Sequence, residues 1–172
     1  APGSHIAIIS KNCAHWIIAD LAIWMAGHVS IPLYPNLTAE SVRQILEHSE
    51  ARVAFIGKLD DWPAMAPGVP EGVRTVALPL RPTGRFDHLW SDLQACAPIT
   101  DSPTTRASQL ATIIYTSGTT GVPKGVMHSF GNFGFTGRKA VDLFGVEEGD
   151  RGLSYLPLCH VAERIFVEVA SF

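Results

Sequence analysis

The amino-acid sequence predicts an α/β fold with layered, mostly parallel sheets and flanking helices. Two observations carry this prediction. Short apolar runs rich in β-branched residues alternate with helical segments at the spacing of βαβ units. Those runs are apolar throughout rather than alternating, as strands covered on both faces are.

The first run, His5 to Ser10, reads as a buried strand. Asn12 then offers an N-cap, and Cys13 to Ala26 form a helix that Gly27 stops. Val29 to Tyr34 make the next strand. Thr38 caps a second helix to about Ser49, with Val42, Ile45 and Leu46 on one face, and Arg52 to Ile56 make a third strand. The middle is less regular: Leu59 to Pro82 holds five prolines, with one strand at Val73 to Leu78. The Thr-, Ser-, Asp- and Pro-rich stretch from Pro98 to Ser108 reads as an exposed connection and a subdomain seam. A strong strand follows at Leu110 to Tyr115, then a Gly/Thr loop, a short strand Gly125 to His128 and a helix Asn132 to Phe144. A strand Leu153 to Leu156 and a helix beginning at Val161 complete the chain.

Composition narrows the function. The 172 residues are 47% hydrophobic and only 17% charged, against about 25% charged in an ordinary soluble domain. An apolar balance of this kind suits a piece of a larger protein with some surface left to cover. A net charge of −3 without a basic stripe argues against nucleic acid. Cys13, Cys96 and Cys159 lack metal-ligand spacing and read as buried, reduced thiols of a cytosolic protein. The most apolar stretch, Trp16 to Gly27, contains Asp20 and is shorter than the roughly 20 residues a bilayer requires, so no transmembrane segment is expected.

The chemistry lies in Tyr115-Thr116-Ser117-Gly118-Thr119-Thr120-Gly121-Val122-Pro123-Lys124-Gly125. It follows an apolar strand at once, where ligands collect in open α/β sheets. The glycines let several N–H groups converge on one anion, the hydroxyls of Thr116, Ser117, Thr119 and Thr120 add donors, and Lys124 adds a positive charge. Such a set suits a polyphosphate. The lysine follows a proline and precedes a glycine, so this is not the P-loop of Gly-x-x-x-x-Gly-Lys-[Ser/Thr] type, and no Gly-x-Ser-x-Gly nucleophile elbow is present. The plain alternative is a surface turn, the usual fate of Gly/Ser/Thr clusters. The strand before the loop, the hydroxyls and the lysine weigh against it.

Tyr115 to Gly125 resembles the phosphate loop of the adenylate-forming (AMP-binding) superfamily. Ser154-Tyr155-Leu156-Pro157-Leu158-Cys159-His160-Val161-Ala162-Glu163-Arg164 resembles a second block of that superfamily, and its Glu-Arg resembles the long-chain fatty acyl-CoA synthetase branch. Ile6 to Asn12, Trp16, Asp20 and Ile31-Pro32-Leu33-Tyr34-Pro35 are similar to that branch too. The resemblance implies part of the large N-terminal domain of an acyl-CoA synthetase-like fold, covering residues 1–172, with a C-terminal lysine-bearing domain outside it. It implies an ATP-dependent, AMP-forming fatty acid–CoA ligase using ATP, Mg²⁺ and CoA.

By the same resemblance, Thr116, Ser117, Gly118, Thr119, Thr120, Gly121 and Lys124 would hold the phosphates, and Thr116 would help bind Mg²⁺. Lys124 and His160 would be catalytic, His160 orienting or gating near the acyl site, while Glu163 and Arg164 would pair or anchor the helix start. The 172 residues alone are expected to be inactive. The expected setting is cytoplasmic, with peripheral contact at the inner membrane face and homo-oligomerisation through exposed apolar surface left open. Other readings are an adenylation domain for an aryl, amino or short-chain acid, and a non-enzymatic nucleotide-binding module. Trp16, Trp24 and Trp62 read as packing residues, and the remaining histidines as ordinary surface or core positions.

Overall fold

The structure, a computed structural model, describes residues 3–116 and 123–169. Strands β1 (His5–Ile9), β2 (Val29–Leu33), β3 (Val53–Ile56), β4 (Arg74–Ala77), β5 (His88–Leu89), β6 (Leu110–Thr116) and β7 (Lys124–Ser129) form one sheet in the order β5-β4-β3-β1-β2-β6-β7. All neighbours run parallel except β6 and β7, which form a hairpin.

Helices α1 (Ala14–Met25) and α2 (Ala39–His48) connect the first three strands and cover opposite faces. Because side chains alternate across a strand, Ala7 and Ile9 of β1 join α2 residues Val42, Ile45 and Leu46 in one core. Ile8 joins Trp16, Ala19 and Ile23 of α1 in the other. With both faces covered, β1 is apolar at every central position. Ile8 and Ile9, both fully buried, each contribute about 1.5–3 kcal/mol.

Helix ends follow local chemistry. Thr38 Oγ1 accepts from Ser41 N–H at 3.2 Å and starts α2, as its sequence position suggests. Gly27 ends α1 with a φ of +74°, and a Cβ there would lie 2.8 Å from Pro103. Trp16 and Trp62 are buried in the two cores, and Trp24 packs on the Trp16 side with its Nε1 donating to Ala111 O at 2.8 Å.

Three expectations fail. Asn12 does not cap α1: Cys13 occupies the N-cap with no side-chain bond, and the Asn12 amide is engaged elsewhere. Leu153 to Leu156 form no strand, because no neighbouring strand among the described residues pairs with them; Leu153 is 84% exposed. Cysteine burial is mixed: all three thiols are free, but Cys96 is exposed, Cys13 half-buried and only Cys159 buried. Cys96 lies just beyond helix α4 (Trp90–Gln94), in a stretch that is exposed from residue 91 to 109 and packs on neither core.

Helix α3 (Trp62–Met65), begun by Asp61, and a 3-10 turn at Ala66–Gly68 occupy the irregular middle. Residues 95–109 are exposed and form no helix, though Ser102 Oγ donates to Met25 O at 2.6 Å. Helix α5 (Phe130–Phe144) starts where Ser129 Oγ accepts from Asn132 N–H. The last elements are a single turn, α6 (Val161–Arg164), and its π-helical continuation Ile165–Val169.

Candidate functional site

The chain leaves β2 towards β3 on one side of the sheet and leaves β6 towards β7 on the other. That divergence is a topological switch point, and the carboxyl ends of two such strands form a crevice. Pro32 sharpens it. Its nitrogen has no hydrogen to donate, and the one ladder pair described between β2 and β6 is Ser30 with Thr112, two residues earlier. Beyond it lies a cavity of about 400 Å³ between Pro32, Leu33 and Tyr34 on one side and Tyr115, Thr116 and Pro123 on the other, floored by Ser41 and Ile45 of α2.

Thr116 and Lys124 face each other as the last pair of the β6–β7 hairpin, and Thr116 and Pro123 line this cavity. Both are exposed, and Lys124 makes no ion pair among the described residues. The next pair, Tyr115 with Gly125, is tight: a Cβ on Gly125 would fall 2.7 Å from Ile113 Cγ2 and 3.2 Å from the Tyr115 ring. The Tyr115 hydroxyl is fixed by His48 Nδ1 at 2.7 Å, and burial pushes its pKa up, so it remains a neutral wall. Ser117, Gly118, Thr119, Thr120 and Gly121 lie outside the described residues.

The second block reaches the same edge of the sheet through Asn12, which follows β1. Its Oδ1 accepts from Leu158 N–H at 2.8 Å and its Nδ2 donates to Leu156 O at 2.7 Å. One amide thereby pins the segment leading to His160 above β1, two strands or roughly 10 Å from β6. Between them stands Tyr34, whose hydroxyl is pushed up by burial and then by neighbouring Cys159. The Cys159 thiol is itself pushed up to about 12, chiefly by burial, and is no nucleophile at neutral pH.

His160 is exposed and caps α6. Its Nδ1 accepts from Ala162 N–H at 3.2 Å, which places the proton of the neutral ring on Nε2. It is therefore set up as a donor. Glu163 and Arg164 are both buried, and Arg164 binds far more than the helix start. It pairs with Asp20 of α1, donates from Nε to Glu168 Oε2 at 3.2 Å and from Nη1 to Thr112 Oγ1 at 2.9 Å, and lies 5.0–5.5 Å from the rings of Trp16, Trp24 and Phe133.

Asp20 Oδ1 and Glu168 Oε1 have no donor from elsewhere. Burial first, and the charge of Asp20 second, raise the Glu168 pKa well above the carboxylate range, so Glu168 keeps a proton that Asp20 can accept. The cluster thus joins one arginine to two carboxyl groups, one of which holds its proton. Its sequence signals were two charges in apolar surroundings, Asp20 inside the most apolar helix and Arg164 four residues before Glu168.

Among the described residues no three His, Cys, Asp or Glu side chains gather as a metal site. A divalent ion near Thr116 would have to take its remaining ligands from phosphate oxygens and water, as Mg²⁺ commonly does.

Comparison with known proteins agrees with this architecture. The family model described as "AMP-binding enzyme" matches residues 1–172. The chain is 33% identical to the long-chain-fatty-acid–CoA ligase FadD15 of Mycobacterium bovis, over 99% of its own length and 30% of that protein's. It is 32% identical to the 2-succinylbenzoate–CoA ligase of Bacillus licheniformis, over 93% of its length and 31% of the relative's. It therefore spans about 30% of the length of these curated relatives. Among solved structures, one described as a long-chain-fatty-acid CoA ligase from Rhodopseudomonas palustris superposes with a TM-score of 0.80 at 27% identity, covering 98% of this chain and 42% of the other. The o-succinylbenzoate CoA synthetase of Bacillus subtilis, in complex with ATP and magnesium ion, superposes at 0.76 and 26% identity, covering 98% and 33%. The chain belongs to the AMP-binding enzyme family.

Proposed function

We propose that the chain forms the phosphate-binding part of an AMP-forming acid–CoA ligase acting on long-chain fatty acids. The observation that carries this reading is the pairing of Thr116 with Lys124 beside the switch-point cavity, at the two ends of a sequence rich in glycines and hydroxyls. In the first step a carboxylate oxygen of the acid bonds to the α-phosphorus of ATP. The bond from that phosphorus to the bridging oxygen breaks, and its electron pair leaves on pyrophosphate. Lys124 and the hydroxyls and N–H groups of residues 116–121 meet the growing charge. Thr116 would help hold Mg²⁺, which would supply further positive charge there. His160 Nε2–H orients the acyl oxygen. In the second step the CoA sulfur bonds to the acyl carbon, AMP departs with the electron pair, and the thiol proton passes to solvent. This reading places a lysine-bearing domain outside the chain and the protein in the cytoplasm, in peripheral contact with membrane. Among the described residues no helix is long and apolar enough to cross one.

The fatty acid is favoured by the Glu163-Arg164 pair after His160 and by the names of several relatives. An aryl acid is the second reading, favoured by the succinylbenzoate ligases. ATP–pyrophosphate exchange by the complete protein, with palmitate, succinylbenzoate and benzoate in turn, tests both. Exchange strongest with palmitate is expected, and exchange confined to an aryl acid would overturn the substrate. Lys124→Ala should lower exchange about 100- to 1,000-fold. Wild-type exchange in that variant would overturn the role of the loop.

A further inference from the structure

We infer that Arg164 is a positioning residue that sets His160 against the end of β6. The inference rests on the proposed ligase site and extends it to a side chain that touches no substrate.

The geometry joins the two halves of the site through one planar group. Arg164 lies four residues after His160, and its amide donates to the His160 carbonyl at 3.2 Å. Thr112, which accepts from Nη1, lies four residues before Thr116 on β6. Thr112 Oγ1 in turn donates to Ser30 O of β2 at 2.7 Å, and Arg164 Nη2 reaches Ser30 Oγ at 3.4 Å. Asp20 and Glu168 hold the guanidinium in plane from α1 and from the π-helical turn. Four hydrogen-bond directions in a fixed fork leave the ion one orientation, which a single ammonium cannot reproduce. The turn that begins at His160 has one helical revolution; Val161 and Ile165 pack it against the Ala111, Ile114 and Phe133 cluster and Asn12 holds the segment before it, while this fork is what ties it by hydrogen bonds to β6.

Two variants of the complete protein test this: Arg164→Lys, and the triple Asp20→Asn, Arg164→Met, Glu168→Gln, which removes the ionisable groups of the fork together. Each is read by unfolding cooperativity, by exchange kinetics and by nitrogen-15 NMR of the His160 ring. The expected result for the folded variants is a kcat lowered at least tenfold, a KM for ATP within about twofold of wild type, and a mixture of His160 tautomers in place of Nε2–H alone. Arg164→Lys should lie between wild type and the triple. Should the triple not fold, the lysine variant decides. Wild-type kcat and a single tautomer in whichever variants fold would overturn the inference. The ring tautomer reports on Arg164 even if no acid supports exchange, a result that would instead overturn the ligase reading.

Discussion

Residues 3–77 and residues 123–169 share one sheet but are held by different physics. In the first region β1 to β4 and their helices bury nearly all large apolar side chains, with Ile18 and Met25 the large ones left more than a third exposed. In the second, Val126, Met127, Phe135, Leu143, Phe144, Val146, Leu153, Tyr155 and Phe166 are all exposed, while Glu163, Arg164 and Glu168 are buried. Phe133 joins Ala111 and Ile114 of β6 in a small apolar cluster, and Leu158 joins the core beside α1. One region is specified by apolar pattern, the other by a polar cluster whose partners come from far along the chain. A pattern-held layer tolerates no lost volume. A cluster-held layer tolerates lost surface apolar groups but not lost partners.

The sharpest way to break this comparison is a matched pair of truncations. Leu46 is 1% exposed in the first region and Leu143 is 79% exposed in the second. Leu46→Ala should destabilise by about 2–5 kcal/mol through lost transfer energy and a cavity. Leu143→Ala should change stability by less than about 0.5 kcal/mol. Urea unfolding measures both, and equal losses would erase the distinction between the regions.

That distinction also explains what the sequence made legible. Strands β1 to β4 and helix α2 were readable because their signals are local: β-branched runs, Thr38 before an amphipathic helix, Gly27 at positive φ. The phosphate-loop candidate stands in consecutive residues and so can be named from sequence, but its ends Thr116 and Lys124 read as loop and prove to be strand, because each pairs with the other across the hairpin. Asn12 was misread because capping and clamping use the same amide, and only the distant carbonyl and amide of Leu156 and Leu158 decide between them. Leu153 to Leu156 alternate as a strand does, but a strand also needs an edge to pair with. Arg164 was placed at the helix start because Asp20, Ser30 and Thr112 lie 134 or more, or 52, residues away, and no window holds them together.

A second prediction sharpens the polar side of the comparison. The Glu168 carboxyl rises from 4.5 to about 8 on folding, through burial first and Asp20 second. A folded pKa above the unfolded one means the folded state holds the proton more tightly. The associated stability is complete below the unfolded pKa and is lost as pH rises towards the folded one. His28 and His128, both lowered by burial, change stability only below their ordinary range, and Cys159 only above that of a free thiol. Between about pH 7 and pH 8 the chain should therefore lose roughly 1 kcal/mol that Glu168→Gln does not lose. A wild-type urea midpoint flat across that interval would show that no proton is shared with Asp20.

The smallest effect asks whether local structure also differs between the regions. Thr38 Oγ1 accepts from Ser41 N–H at 3.2 Å in the first, and Ser129 Oγ accepts from Asn132 N–H at 3.2 Å in the second. Both caps satisfy one otherwise unpaired donor at an exposed helix start, so their contribution depends on neither core. Thr38→Ala and Ser129→Ala should each cost roughly 0.5–1 kcal/mol, alike within error in chemical denaturation. Equal losses would confine the difference to long-range contacts. A negligible loss at Ser129 beside a full one at Thr38 would mean that α5 frays at its start, and that the hairpin carrying Lys124 depends on the polar cluster for its register as well as for its seat.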